Sequence, residues 1–172
     1  MKSFYLFSAV LGSLPGLTIA SAGSIIFEGY ITENACIIES NDVSQVVDLG
    51  TISTSAFSAA GQVASPTRFT ISLKDCPQTV KSVSFTFNGV SDQNNPTLIS
   101  LDDDSSASGI GIALYEYDSV SQIPLFSASK VRELNADTDV NVLTFIAKYM
   151  ATQAKVTPGT ANSVTEFVAV YN

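Results

Sequence analysis

Arg68-Phe69-Thr70-Ile71-Ser72-Leu73-Lys74 puts an apolar side chain at every second position and a polar one between. Successive side chains of a strand point to opposite faces, so this order predicts a β-strand with one buried face. Working outward, the same period recurs. Val83, Phe85 and Phe87 alternate with Ser82, Ser84, Thr86 and Asn88. Ile110, Ile112 and Leu114 alternate with Gly111 and Ala113. Leu143, Phe145, Ala147 and Tyr149 share one parity, while Val140 and Val142 share the other, a phase change that predicts a bulge near Val142. Between the runs stand breakers: Asn88-Gly89, Asn94-Asn95-Pro96, the stretch 102–108 and Pro158-Gly159. No window carries a convincing amphipathic helix. Many short strands with regular turn signals predict an all-β sandwich, and the absence of a repeat or linker predicts one domain.

The chain has 172 residues and a formal charge of −8. That length supports a single domain with a real core, and the low charged fraction argues against disorder or a coiled coil. An acidic surface has nothing to neutralise phosphates, which excludes a nucleic-acid partner. Residues 1–22 read as an export signal. Lys2 supplies the positive start, Phe4 to Leu14 an apolar run too short to anchor in a bilayer, and Thr18, Ala20 and Ala22 small residues for cleavage after Ala20 or Ala22. Loss of Lys2 leaves the mature chain one unit more negative. No other run predicts direct membrane insertion.

Cys36 and Cys76 both lie in the mature part. An even pair in an exported chain reads as a disulfide, and a closed loop of this length stabilises by roughly 4 kcal/mol on the chain-entropy argument; the alternative is two free buried thiols. Histidine is absent from the sequence, so Ser–His and Cys–His nucleophiles and histidine-based metal sites are excluded. Asp102, Asp103 and Asp104 form the one dense acidic cluster, but the bidentate acid and central glycine of a calcium loop are missing, and a solvated turn is expected. The glycines follow no phosphate-loop or dinucleotide spacing. No cofactor, no metal and no enzymatic activity are expected.

The two ends differ from the rest. Phe167, Ala169 and Tyr171 share one face near the C-terminus, with Val164, Val168 and Val170 on the other. A strand apolar on both faces is expected at the centre of the fold. Yet the sequence stops there, leaving no following segment to cover it. At the N-terminus Ile25, Phe27, Gly29 and Ile31 share one face, and Ser24, Ile26, Glu28, Tyr30 and Thr32 the other. On the residues alone two readings of this strand stand: it is the domain's own first strand, or it is given to another chain.

The order of motifs resembles the pilin subunits of the chaperone–usher pathway. Residues 29–36 resemble the join between a pilin's N-terminal extension and its first strand. Val47-Asp48-Leu49-Gly50 resembles the short strand after the first cysteine, and Phe69 to Cys76 the strand carrying the second. Residues 150–153 and 156–159, Gly159 fourteenth from the end and Tyr171 penultimate resemble the family's C-terminal signature. The resemblance implies an incomplete immunoglobulin-like β-sandwich, lacking its seventh strand and completed by a donor strand. It implies an extension at 23–32 and a pilin domain at 33–172. Its implied partners are neighbouring pilin subunits, a periplasmic chaperone and an outer-membrane usher, on the way to a cell-surface fimbrium. Ile25, Phe27, Gly29 and Ile31 become the donor strand, and Phe167, Ala169 and Tyr171 the groove strand that the chaperone also contacts. Tyr30, Asn34 and residues 150–153 look most like an adaptor of the tip fibre; a major rod subunit and a carbohydrate-binding adhesin are the alternatives. An adhesin needs a receptor domain before the pilin pattern, and here that pattern starts almost at the cleavage site.

Overall fold

The structure is a computed structural model that describes residues 26–29 and 35–172. Residues 1–22, expected as an export signal, and Ile25, Tyr30, Ile31 and Asn34 lie outside the described residues. The chain divides into two units, 1–31 and 32–172, taken separately below.

The larger unit holds strands β1 (Ile37–Ile38), β2 (Val63–Lys74), β3 (Ser82–Gly89), β4 (Ile110–Glu116), β5 (Gln122–Ile123), β6 (Arg132–Glu133), β7 (Val140–Ala151) and β8 (Thr165–Tyr171). One sheet runs β1-β2-β7-β4-β5 and the other β6-β3-β8, with every described pair antiparallel. The alternating runs of the sequence supply the filling. Ile71 and Leu73 of β2, Ile112 and Leu114 of β4, and Leu143, Phe145 and Ala147 of β7 meet Val83, Phe85 and Phe87 of β3 in one buried cluster. Phe145 sits edge-on to both Phe85 and Phe87, at 5.5 and 5.4 Å between ring centres, the arrangement aromatic quadrupoles favour. Cys36 and Cys76 are joined, closing a loop of sequence separation 40.

Three expectations are corrected. β7 carries no bulge at Val142, because its register with β2 is unbroken from Val140 to Ala147. The irregularity lies in the partner strand between Ala64 and Thr67, where Ser65 adopts a left-handed φ of 54° before Pro66. Val140 and Val142 are simply outward-facing and exposed. β8 is not central: it closes the smaller sheet as an edge strand. β4, expected to bury one face, is buried along its whole length. Leu98 folds over its outer side and joins Ala113, Tyr115, Ile146 and Met150 in a second apolar cluster.

Candidate functional site: an open strand edge

Asn172 donates its N–H to the Ser82 carbonyl and accepts the Ser82 N–H, both at 3.0 Å. Reciprocal bonds alternate along an antiparallel ladder, so Val170 and Val168 bond to β3 opposite Ser84 and Thr86. Phe167, Ala169 and Tyr171 therefore turn their N–H and C=O groups away from β3. The sheet order ends at β8, so among the described residues no strand takes these groups. Unpaired backbone groups next to apolar side chains are costly in a folded chain.

The side chains of the same three residues pack inward. Phe167, Ala169 and Tyr171 rest half-buried on the main core, as do Phe69 and Tyr149 from the larger sheet. Ile38, Val47 and Leu49 border that core from the first strand and the segment after it. Together they form a trough, with β8 as one lip and residues 38–49 as the other. Phe167 meets Phe85 at 5.9 Å. Tyr171 donates its hydroxyl to the Cys36 carbonyl at 3.4 Å, which bridges the two lips. Burial raises the pKa of that phenol, so it stays protonated and able to donate at neutral pH.

Each lip is braced. On the first, Glu39 donates its N–H to the Ser72 carbonyl at 2.9 Å, Asp42 Oδ2 accepts the Ser72 N–H at 2.7 Å, and Gln45 Nε2 donates to the Thr70 carbonyl at 2.9 Å. Asp48 Oδ1 accepts the Gly50 N–H at 2.8 Å, and Gly50 turns at φ +67°, where a side chain is strained. Val47-Asp48-Leu49-Gly50 thus works as two inward apolar residues and a capped turn. On the second lip, the stretch leading into β8 is stitched to residues 102–108. Ser106 donates its N–H to Thr160 Oγ1 at 2.9 Å, Thr160 its N–H to Ser106 Oγ at 2.9 Å, and Ala107 its N–H to the Thr160 carbonyl at 3.0 Å. The acidic turn at 102–104 is part of this hydroxyl-rich seam.

Gly159 belongs to the seam for a reason other than turn geometry. A Cβ there would collide with the Ala107 nitrogen and Ser106 Oγ. Gly159→Ala is expected to pry the seam apart and destabilise the domain by about 1–3 kcal/mol, read from the midpoint and slope of denaturant unfolding. An unchanged midpoint would mean that the seam yields freely.

The opposite side of the sandwich is shut. Glu116 of β4 is 1% exposed. Its carboxylate accepts a bond from Arg132 Nη2 of β6 at 2.7 Å and from the Lys130 N–H, so it ties one sheet to the other. Arg132 also lies over the Tyr117 ring at 4.6 Å. Nearby, Asp118 is held well below the usual carboxylate range by N–H bonds from Ser121 and Val120, then by the Ser121 hydroxyl and Lys130. Phe126 and Ser129 donate N–H bonds to the Phe87 and Phe85 carbonyls, which occupies the far edge of β3.

The sequence-predicted residues thus separate into two groups. Phe167, Ala169 and Tyr171 come together on one lip, with Cys36–Cys76 anchoring the other and Gly159 bracing the approach. Of the N-terminal residues, Phe27 is 91% exposed and Gly29 has open space around it. Sequence reasoning missed Ile38, Val47, Leu49, Phe69 and Tyr149 as trough residues. The alternation of Val47 and Leu49 inside a quoted motif was the available signal.

Two antiparallel sheets, closed along one side and open along the other, define an immunoglobulin-like domain short of one strand. The chain belongs to the fimbrial protein family, which it matches over residues 25–172. It is 30% identical over 168 residues to the fimbrial subunit type 1 of Salmonella typhimurium, covering 95% of this chain and 90% of that one. It is 31% identical over 151 residues to a probable major fimbrial subunit of Escherichia coli O157:H7, covering 87% and 83%. Among solved structures it is similar to an antigen and type I fimbria protein of Burkholderia pseudomallei, at 29% identity and a TM-score of 0.62, covering 79% and 88%. The chain is a structural fimbrial protein, and a fimbrial subunit implies a place in the cell-surface pilus.

Proposed function

We propose that the subunit polymerises by strand donation: residues 23–32 of one copy, freed by removal of residues 1–22, fill the open trough in domain 33–172 of the next. The observation that carries this is the outward-turned backbone of Phe167, Ala169 and Tyr171 above a half-buried apolar floor. Strand addition supplies both the missing hydrogen bonds and the missing apolar cover.

Size matching supports a register. Every described pair in the molecule is antiparallel, and a donor run the same way with Phe27 beside Ala169 sets Gly29 beside Phe167 and Ile25 beside Tyr171. Large meets small at the first two positions. A chain whose extension fits its own kind of trough suits repeated self-addition. That match, with the major-subunit name of a relative, favours a rod-type subunit. Tyr30, Asn34 and residues 150–153 favour the second reading, a tip adaptor. Before assembly the trough is filled by a strand from a periplasmic chaperone, which an outer-membrane usher exchanges for the extension.

Refolding separates these possibilities. Residues 33–172 alone are expected to refold poorly, and a peptide of residues 23–32 to restore a cooperative transition that rises with peptide concentration. A cooperative, stable monomer without any added strand would sink strand donation. Rescue by the peptides of other subunits but not by its own would favour the adaptor place.

A further inference from the structure

Both arginines of the chain, Arg68 and Arg132, line one cleft of about 370 Å³ at the outer face of β2 and β7. Arg68 points away from the core, on the side of β2 opposite Phe69 and Ile71, and is exposed. Acidic residues outnumber basic ones 16 to 8, yet among the described residues Arg68 makes no ion pair. Arg132 is held in place. Glu116 Oε2 accepts its Nη2 at 2.7 Å, and the Tyr117 ring supports the guanidinium plane at 4.6 Å. The rest of the lining is largely apolar. Tyr117 and Val142 are 59% and 61% exposed, and Leu134 continues the same wall. The Asn141 amide is spent on Asn135, accepting its N–H at 2.8 Å and donating to its carbonyl at 3.0 Å. Thr144 adds a hydroxyl on the Arg68 side, opposite Thr70 in the ladder and two residues along β2 from Arg68.

The geometry points to a binding site for an amphipathic monocarboxylate: an acid group held by Arg68 and Arg132, and an aromatic or aliphatic body laid on Tyr117, Val142 and Leu134. None of these residues lines the trough or the β8 edge, so the site stands apart from strand donation. Its volume falls in the range of small-ligand pockets, roughly 300–1,000 Å³.

Each part of that ligand follows from the lining. A carboxylate fits because a guanidinium offers two parallel N–H groups to its two oxygens. A single charge fits and a polyanion does not. The lining sets two arginines against Glu133, and Glu116 behind it offsets Arg132, so only Arg68 is left to answer a further negative charge. Around the cleft a chain of formal charge −8 repels anything highly acidic. An apolar body fits because covering Tyr117 and Val142 removes exposed apolar surface from water. With Asn141 closed onto Asn135, a polyhydroxylated body would find few partners for its own polar groups.

The test is equilibrium dialysis of 2-naphthoate against intact fibres sheared from cells, at physiological salt. Saturable binding is expected with a Kd of about 1 mM or tighter, ordinary for a ligand of that size. Naphthalene-2-methanol lacks the acid and acetate lacks the body, and each is expected to bind at least ten-fold more weakly. Arg68→Gln, at an exposed side chain, is expected to weaken naphthoate binding at least ten-fold through loss of charge-assisted hydrogen bonds. Val142→Asp places a competing acid in the cleft and is expected to abolish binding. Absence of saturable naphthoate binding to wild-type fibres overturns the inference, as does unchanged binding in Arg68→Gln. Equal binding of the alcohol would show an apolar contact only, and equal binding of acetate a bare-anion contact only; either result overturns it without relying on a variant.

Discussion

Phe27→Asp is expected to leave the subunit folded and able to receive a donor strand, yet to abolish its capture by the next subunit. Phe27 is 91% exposed, so the domain loses no packing when it changes. The receiving trough loses a phenyl group worth about 1.5–3 kcal/mol on burial. It also gains a carboxylate among the apolar side chains of Phe167, Ala169 and Tyr171, at an effective cost of several kcal/mol. Since each 1.4 kcal/mol is a factor of about ten, capture should weaken by at least three orders of magnitude. A denaturant-resistant ladder should disappear, while the variant still binds a wild-type extension peptide. Glu28→Ala, on the outer face, is the control and should assemble. Normal ladders from Phe27→Asp would mean that Ile26, not Phe27, faces the trough.

The second large effect is expected on the closed side. Glu116→Ala removes the buried carboxylate that joins β4 to β6 and leaves Arg132 without its partner. Breaking a buried pair by removing one partner costs about 3–5 kcal/mol, and part-exposed Arg132 places this case at the low end. Denaturant unfolding of the peptide-complemented domain measures it. A Glu116→Leu, Arg132→Met double variant should recover much of the loss, because the charge is then absent rather than stranded. A Glu116→Ala loss below about 1 kcal/mol would show that the pair contributes little.

The strands were legible because each core-forming run states its own period. Phe69-Ile71-Leu73 and Val83-Phe85-Phe87 need no partner to be read, and both occupy the core as expected. Position within a sheet was not legible. β8, apolar on both faces, reads as central, whereas it is an edge whose second neighbour belongs to another molecule on the proposed function. The phase change at Val142 was real, but its cause was exposure, and the true bulge sat across the ladder at Ser65, where Ser before Pro gives no alternation to disturb. Of the open edge, the β8 lip was foreseen from Phe167, Ala169 and Tyr171. The opposing lip was not, since Ile38 and Leu49 meet the core only after the chain has doubled back. Glu116 and Arg132 lie too far apart in sequence for any local pattern to couple them.

The disulfide has a mechanical consequence. In a fibre joined by donated strands, tension along the axis reaches each domain through its own extension, and so enters at Cys36. Beyond Cys36 the chain is held by the two-residue strand β1 and by the single bonds of Glu39, Asp42 and Gln45 to β2, a weak hold against a pull. The bond to Cys76 passes the load directly to the end of β2, a twelve-residue strand hydrogen-bonded along its length to β7. Residues 37–75 form a covalently closed bypass, of which only β2 is strained through its far end. The first lip, with Val47 and Leu49, lies inside that bypass, so on the proposed function the trough would be shielded from the pull.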